Sequence, residues 1–378
     1  MSNTSISSLW SYESRYRSGT RRLRDVEATA AAIRAHAIKI GVTRVGNVTK
    51  LDRIGIPVWH AIRPRSKNLT VSQGKGLTDV EASVAAMLES VEMHCAEDPP
   101  LDGVSVISEI PHWLFEGTQP LYSRKHAKLD VPFELAPAVT VDTLEPRLVP
   151  RDLIHLDFTR TDLTQSWWHP ISTGLATGNS AAEAVLHGIY EVIERYAVAQ
   201  SVHFGTPRIS ALNHWNSSSL LACIGAVNKA GLNLSVEWLD SPVPEVHCAM
   251  ARVSEPGALV TFYGSGANLD AEMAASQAVL EAVQSRLTAI VGARDDICDD
   301  DYAAQDNWCT LHRSSRIPSR GALFVGRRFD SARDELSALV MRVTRARFRP
   351  LVVDLRCCCR EIAVVFVLVP GLSLVAGT

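Results

Sequence analysis

Three pairs of polar side chains, each three residues apart, are the groups in this sequence best suited to chemistry: Glu89 with Glu92, Glu191 with Glu194, and Glu281 with Gln284. Residues three apart on a helix share a face and reach toward one ligand. Two such helices side by side supply four carboxylates. Hard oxygen donors of this kind suit Mg2+, which keeps several waters and bridges substrate phosphates. Arg195, Arg286 and Arg294 follow the second and third pairs and are suited to phosphate oxygens. The competing reading places the glutamates on solvated helix faces, where most glutamates lie. The surroundings argue against it. In SVAAMLESVE nearly everything but the two glutamates is apolar or small, and AVLHGIYEVIER is the same apart from His187. Carboxylates on such a body are costly unless something cationic meets them.

The elements that must position these pairs are repeated. VSQGKGLTDVEASVAAMLESVE, ISTGLATGNSAAEAVLHGIYEVIER and FYGSGANLDAEMAASQAVLEAVQSR each read as an apolar strand, a glycine turn and an Ala-rich helix. In the first two a further glutamate, Glu81 or Glu183, stands eight residues before the pair. The pairs are 102 and 90 residues apart, too far for a solenoid unit, so the motif is repeated within one fold. Backbone N–H groups at the glycine turns and helix N-termini add an anion-friendly rim. Further helices are expected over Asp25–Lys39, Ser217–Ala230 and Ser331–Arg345, the first repeat helix running to about Asp98 and the second to about Ser201. Strands are expected at Val42–Val48, Ile56–Ala61, Leu153–Phe158, Leu234–Leu239, Glu245–Val253, Leu259–Tyr263, Leu351–Leu355 and Ile362–Leu368. Residues 297–330 read as a polar loop. The fold class is α+β with mainly antiparallel sheets. A flexible segment over residues 1–19 precedes one catalytic unit over 20–378.

With 46% hydrophobic and 21% charged residues, the 378-residue chain has ample core. A net charge of −3 gives no electrostatic case for nucleic acid or an anionic membrane. The apolar run IAVVFVLVPGLSLVAG contains Pro370 and β-branched residues and reads as a buried strand, not a membrane span. The Ser-rich start has no secretory signal, and the eight cysteines form no CxxC pair, so reduced thiols in a cytosol are expected. On a strand the run Cys357–Cys359 would alternate between faces and could not converge on zinc, which makes these buried, inert thiols. QGKG at Gln73–Gly76 lacks the Walker A residues, and GSGAN at Gly264–Asn268 lacks the dinucleotide fingerprint. Lys75 reads equally as a phosphate or substrate contact or a plain turn residue, and His187, mid-helix near the glutamates, as a packed histidine ahead of a supporting contact to them. Asp299, Asp300 and Asp301 read as a solvated loop, while Arg294 and Asp295 start close to the third helix.

The chain resembles the YcaO family over Thr20–Leu372. The residues that carry the resemblance are LDRIGIPVW (Leu51–Trp59), RPRSKNLTVSQGKG (Arg63–Gly76), STGLATGN (Ser172–Asn179), EVIERYA (Glu191–Ala197), EAVQSRLTAIVGARDD (Glu281–Asp296) and VPGL (Val369–Leu372). The resemblance implies ATP and Mg2+ as cofactors and a ribosomally made precursor peptide as substrate. A nucleophile attacks a peptide carbonyl carbon, the oxyanion takes the γ-phosphate of ATP, and ADP and phosphate are released. The product is an azoline, thioamide or amidine. Carried over by position, the resemblance assigns metal binding to Glu89, Glu92, Glu191 and Glu194. It assigns nucleotide contacts to Asn179, Glu183, Arg195, Gln284, Arg286, Arg294 and Arg22.

Several features depart from the family pattern. Met93 stands where many members have Arg, and the tail LVPGLSLVAGT lacks the PxPxP terminus of azoline-forming members. The wording GIPVW, QGKG and GARDD is most similar to members paired with TfuA-type proteins, which install thioamides. The leading expectation is therefore a thioamide-forming enzyme with a TfuA-like or leader-binding partner, in the cytoplasm. The alternatives are an azoline cyclodehydratase acting on Cys, Ser or Thr, and a non-catalytic peptide-binding scaffold. No peptide-clasp domain is evident at the N-terminus, and a homodimer is a further expectation.

Overall fold

Thr78, Ser180 and Asp270 have side chains that cap helices, and each stands just before one. The Thr78 hydroxyl accepts the Glu81 N–H (3.2 Å), Ser180 accepts that of Glu183 (3.2 Å), and Asp270 accepts that of Glu272 (2.9 Å). These caps satisfy N–H groups that the first helical turn leaves open. They start α2 (Asp79–Glu97), α3 (Ala181–His203) and α5 (Ala271–Val291). The computed structural model describes residues 5–10, 15–17, 21–99, 105–107, 133–160, 170–203, 209–210, 215–257, 260–296, 327–355, 357 and 359–372. The polar-loop reading with Asp299, Asp300 and Asp301, together with Cys298 and Cys309, falls on 297–326, outside the described residues.

Three antiparallel sheets hold the strands. The first has β1 (Arg44–Asn47), β2 (Val58–Ile62) and β3 (Val71–Lys75) in that order. The largest contains β4 (Ser105–Ile107), β5 (Phe133–Thr140), β6 (Pro146–Pro150), β7 (Leu175–Gly178), β12 (Leu351–Asp354) and β13 (Ala363–Leu368). Its order is β4-β5-β12-β13-β7, with β6 on β5. The third is β11 (Thr261–Asn268), β10 (His247–Ser254), β9 (Asn233–Leu239) and β8 (Ile209–Ser210). The strands that precede α2, α3 and α5 are β3, β7 and β11, and each is an end strand of its sheet. The remaining helices are α1 (Val26–Lys39), α4 (Ser218–Lys229) and α6 (Ala332–Arg345).

β13 explains how the acidic helices come together. Val365 and Val367 join the core under α3, while Val364, Phe366 and Leu368 join the core under α2. Alternate residues of a strand face opposite sides, so an unbroken apolar run marks a strand covered on both faces. Helices α2 and α3 therefore flank the same sheet, and both reach its end strand β7. The packing is cyclic: α2 lies on β3 and reaches β7, α3 lies on β7 and reaches β11, and α5 lies on β11 and reaches β3.

The expected glycine turns lie within strands. Gly74, Gly178 and Gly264 belong to β3, β7 and β11. Their role is close approach. A Cβ on Gly74 would stand 2.1 Å from the Ala82 carbonyl oxygen, and one on Gly264 would stand 2.1 Å from the Ala282 nitrogen. Strand and helix backbones touch here, which is why the helices are rich in alanine. Gly264→Ala is expected to cost about 3 kcal/mol, because overpacking against backbone cannot relax through a rotamer. Urea unfolding measures this.

The strand expected over Leu153–Phe158 is absent. A 3-10 turn, Arg151–Leu153, leads into irregular chain whose Leu156 N–H donates to the Ala96 carbonyl at the end of α2 (2.7 Å). Leu153, Ile154 and Leu156 are all buried, so the apolar run reflects packing against α2 and not a ladder. Within the first nineteen residues, expected as a flexible segment, Ile6 and Leu9 join the core beneath α3 and α6, and Tyr16 donates to Glu335 (2.8 Å).

Candidate functional site

The polar pairs on α2, α3 and α5 face one cleft, and an end strand of a sheet supplies their partners. Such a strand leaves N–H groups without ladder partners, and these are donors for carboxylates. Glu89 accepts the Gln73 N–H of β3. Glu191 accepts the Gly174 N–H just before β7 (3.2 Å). The second member of each pair crosses to the next unit. Glu92 takes both the N–H (2.7 Å) and the hydroxyl (2.8 Å) of Thr177 on β7. Glu194 takes the Ser265 hydroxyl on β11 (2.7 Å). Gln284 donates to the Gln73 side chain on β3 (3.5 Å). The ring of hydrogen bonds follows the ring of helices.

Arg195 stands among three acids, with nitrogens 3.8 Å from Glu191, 3.9 Å from Glu194 and 3.6 Å from Glu281. Burial works against its charge, but the three carboxylates outweigh burial and raise the guanidinium above its ordinary value. Lys75 approaches Glu281 from β3 (3.7 Å). Burial pushes the carboxyls of Glu89, Glu92, Glu191 and Glu194 above the usual range, Glu92 to about 8 and Glu194 to about 7. Repulsion adds to this: Glu89 and Glu191 act on Glu92, and Glu281 acts on Glu191 and Glu194. The Glu191 side chain is 20% exposed and that of Glu194 12%, so the acids line a crevice that water still reaches. Among the described residues, Glu89 Oε1, Glu92 Oε2 and Glu194 Oε2 accept no protein hydrogen bond. Unpaired oxygens on mutually repelling carboxylates fit a divalent cation of the hard, oxygen-binding kind. No three His, Cys, Asp or Glu side chains among the described residues are grouped tightly enough to hold an ion as they stand.

The other expected residues divide. Arg294 acts on Glu89 and bonds Asp296 (2.8 Å), at the rim where Asp295 accepts the Thr70 N–H (3.2 Å). Arg22 is exposed and acts on His187. Asn179 is buried and accepts the Thr29 hydroxyl (3.0 Å). Glu183 is committed to backbone: its oxygens accept the N–H groups of Asn179 (2.8 Å) and Leu23 (2.7 Å). It stands at the same helical turn as Glu81, whose carboxylate caps α2 by accepting the Thr78 N–H (3.1 Å). The glutamates eight residues before the first two pairs are thus helix-capping groups. Arg286 bonds Asp52 (3.0 Å) and Glu255 (2.8 Å) beneath the Phe262 ring. It lies two residues from Gln284, and residues so spaced do not share a helix face, so it is not brought to the glutamates.

His187, expected as a packed histidine, is open to solvent in the cleft. Crowding by protein, with Arg22, Lys75 and Arg195 nearby, pushes it down to about 4. Residues that the sequence did not single out are Gln73, Thr177 and Ser265, which anchor the pairs, and His60, which bonds the Gln73 amide (3.0 Å). The signal for Gln73, Thr177 and Ser265 was a polar residue beside glycine in an otherwise apolar strand.

With this arrangement in view, the match to a family model described as YcaO cyclodehydratase, ATP- and Mg2+-binding, spans residues 73–373. The chain belongs to the YcaO family. The YcaO match takes in every paired glutamate and all of α2, α3 and α5, and leaves Arg22 outside. An uncharacterised Mycobacterium tuberculosis protein is 33% identical over 294 residues, covering 75% of this chain; the chain spans 65% of that protein's length. A Rhizobium leguminosarum relative, an uncharacterised protein in the tfuA 3′ region, is 30% identical over 316 residues, covering 75% of this chain and 71% of its own. In fold, the chain is similar to YcaO from Methanopyrus kandleri, solved with AMPPCP and Mg2+. The TM-score is 0.72 at 24% identity, over 93% of this chain and 92% of that one.

Proposed function

We propose that this cleft holds Mg2+ and ATP and that the chain activates a peptide-bond carbonyl in a precursor peptide, forming a thioamide together with a TfuA-like partner. One observation carries the reading: carboxylates from two helices turn unpaired oxygens into a single crevice beside Arg195. Mg2+, when bound, supplies charge neutralisation for the transferring phosphoryl group. Glu89, Glu92, Glu191 and Glu194 hold the cation. Arg195, Arg294 and Arg22 meet phosphate oxygens, and Asn179 and Gln284 contact the nucleotide. Glu183 fixes the start of α3 against Leu23, and Arg286 fixes α5 against Asp52. Phosphoryl transfer asks mainly for positioning and charge stabilisation, which agrees with a site of acids and cations. The relative from the tfuA 3′ region supports the partner. Cys223 and Cys248, buried and outside any disulfide, support a reducing cytoplasm. No described helix is long and apolar enough to cross a membrane.

The test is release of ADP and phosphate by the full chain with Mg2+, peptide and partner, read beside the product mass. Thioamidation exchanges oxygen for sulfur. The second reading, azoline formation, is favoured by the cyclodehydratase description of the family model and removes one water. Absence of Mg·ATP binding with peptide and partner present would sink both.

Gln73→Leu provides a further check. The Gln73 side chain joins His60, Gln284 and Thr288, while its N–H alone serves Glu89. Calorimetric titration is expected to give Mg·ATP affinity weaker by about 10-fold or more, the usual loss when groups that orient metal ligands are removed.

A further inference from the structure

Cys357 and Cys359, near the C-terminus, are not on a strand. β12 ends at Asp354, and Cys357 and Cys359 lie in the turn before β13. There the chain curls so that the Cys359 N–H donates to the Cys357 sulfur (3.4 Å). His36 of α1 brings Nε2 to 3.9 Å from the same sulfur. The Cys95 thiol of α2, one turn beyond Glu92, hydrogen-bonds it as well. Cys357 is half-buried, while Cys95 is buried behind it. One sulfur thus faces a second thiol, a backbone N–H and an imidazole.

We propose that Cys357 and Cys95 form a reversible oxidation site, in which the Cys357 thiolate attacks a peroxide and Cys95 resolves the product to a disulfide. In the first step the Cys357 sulfur bonds one peroxide oxygen, the O–O bond breaks, and hydroxide leaves, taking a proton to become water. Cys357 is then a sulfenic acid. In the second step Cys95, giving up its proton, attacks the Cys357 sulfur and expels the sulfenic oxygen as water. Two thiols and one hydrogen peroxide become one disulfide and two waters.

The environment favours this order. The Cys95 hydrogen bond, followed by the Cys359 N–H, holds the Cys357 thiol below its usual range against the opposing effect of burial. Burial pushes Cys223 up to about 11 and Cys248 up to about 12, so these two are unreactive controls in the same chain. Burial, with His94 and Lys39 nearby, keeps His36 below its usual value, so the imidazole beside the Cys357 sulfur is neutral and can take the Cys357 proton. The bridge would pin α2 to the β12–β13 turn. This inference stands apart from the proposed reaction, because none of these groups lines the acidic cleft.

The test treats the full chain with hydrogen peroxide, alkylates it under denaturing conditions, and maps disulfides by fragmentation mass spectrometry without reduction. One bridge joining Cys95 to Cys357, removed by a dithiol, is expected. In the untreated native protein Cys357 should be alkylated about 10-fold or more faster than Cys223. In Cys95→Ala, peroxide should carry Cys357 on to the sulfinic acid. A bridge from Cys95 to Cys358 or Cys359, sulfinic acid at Cys357 of the unsubstituted protein in place of a bridge, or equal alkylation of Cys357 and Cys223 overturns the assignment. If Cys95→Ala does not fold, the map of the unsubstituted protein decides alone.

Discussion

Glu191→Ala is expected to lower Mg2+-dependent release of ADP and phosphate, with peptide present, by about 10²–10³-fold. Glu191 is the acid that joins the two halves of the cleft. It raises both Glu92 and Glu194, and it stands 3.8 Å from Arg195. Without it, one of the proposed oxygen ligands is lost and Arg195 is left to Glu194 and Glu281. Glu191→Gln separates charge from shape, since an amide oxygen can still accept the Gly174 N–H. Both variants should be impaired to a similar degree, because the missing element is charge. Thermal unfolding of Glu191→Gln without metal should come at or above that of the parent chain, since a repelling buried charge is removed while the Gly174 N–H keeps its acceptor. Phosphate release per peptide modified is the measurement. An alanine variant with full turnover sinks the site assignment.

Without added metal, stability is expected to fall as pH rises from about 4.5 toward 8, and Mg2+ should reverse the loss. The raised pKa of Glu92, about 8, and of Glu194, about 7, sets the window and the sign. A carboxyl raised on folding binds more protons in the native state than in the unfolded chain. Stability then declines with pH between the two values, and is lost by the time pH passes the folded one. For the two groups together the effect is on the order of 2–4 kcal/mol at pH 8, allowing for the water that reaches them. A cation reverses the sign locally, since ligands must be deprotonated and binding releases protons. The increment in melting temperature on adding Mg2+ should therefore be larger at pH 8 than at pH 6. Equal increments at both values would show that these acids do not hold the ion. The Glu92→Gln variant should flatten the pH dependence and lose the Mg2+ increment together.

The paired glutamates were legible because their helices offered no polar face to share them. The same signal was ambiguous for Glu183. Its spacing resembled a third member of the acidic set, yet it caps α3 and grips Leu23. Local geometry could have separated these roles, because a glutamate at the third helical position after a Ser or Thr cap is a capping group first. Arg286 was drawn to the site by sequence proximity to Gln284, but helical phase turns it toward Asp52 and Glu255. The strand expected at Leu153–Phe158 failed for another reason. A short apolar run reports burial, and it takes the form of a strand only where a partner strand accepts its hydrogen bonds.

The sequence by itself determined the three strand-to-helix units, the pairs three residues apart, the mixed α and antiparallel β class, and the family to which these belong. Those features depend on short-range rules: helical spacing, caps, and glycine where two backbones touch. Only the tertiary structure decided what surrounds the acids. Thr177 reaches Glu92 across 85 residues, Ser265 reaches Glu194 across 71, and Gln73 meets Gln284 across 211. No local rule links positions so distant. They meet because β13 is buried on both faces, which sets α2 and α3 against one sheet. The end strands β7 and β11 then turn N–H and hydroxyl groups to Glu92 and Glu194 of the unit before, and β3 meets Gln284 through the Gln73 side chain.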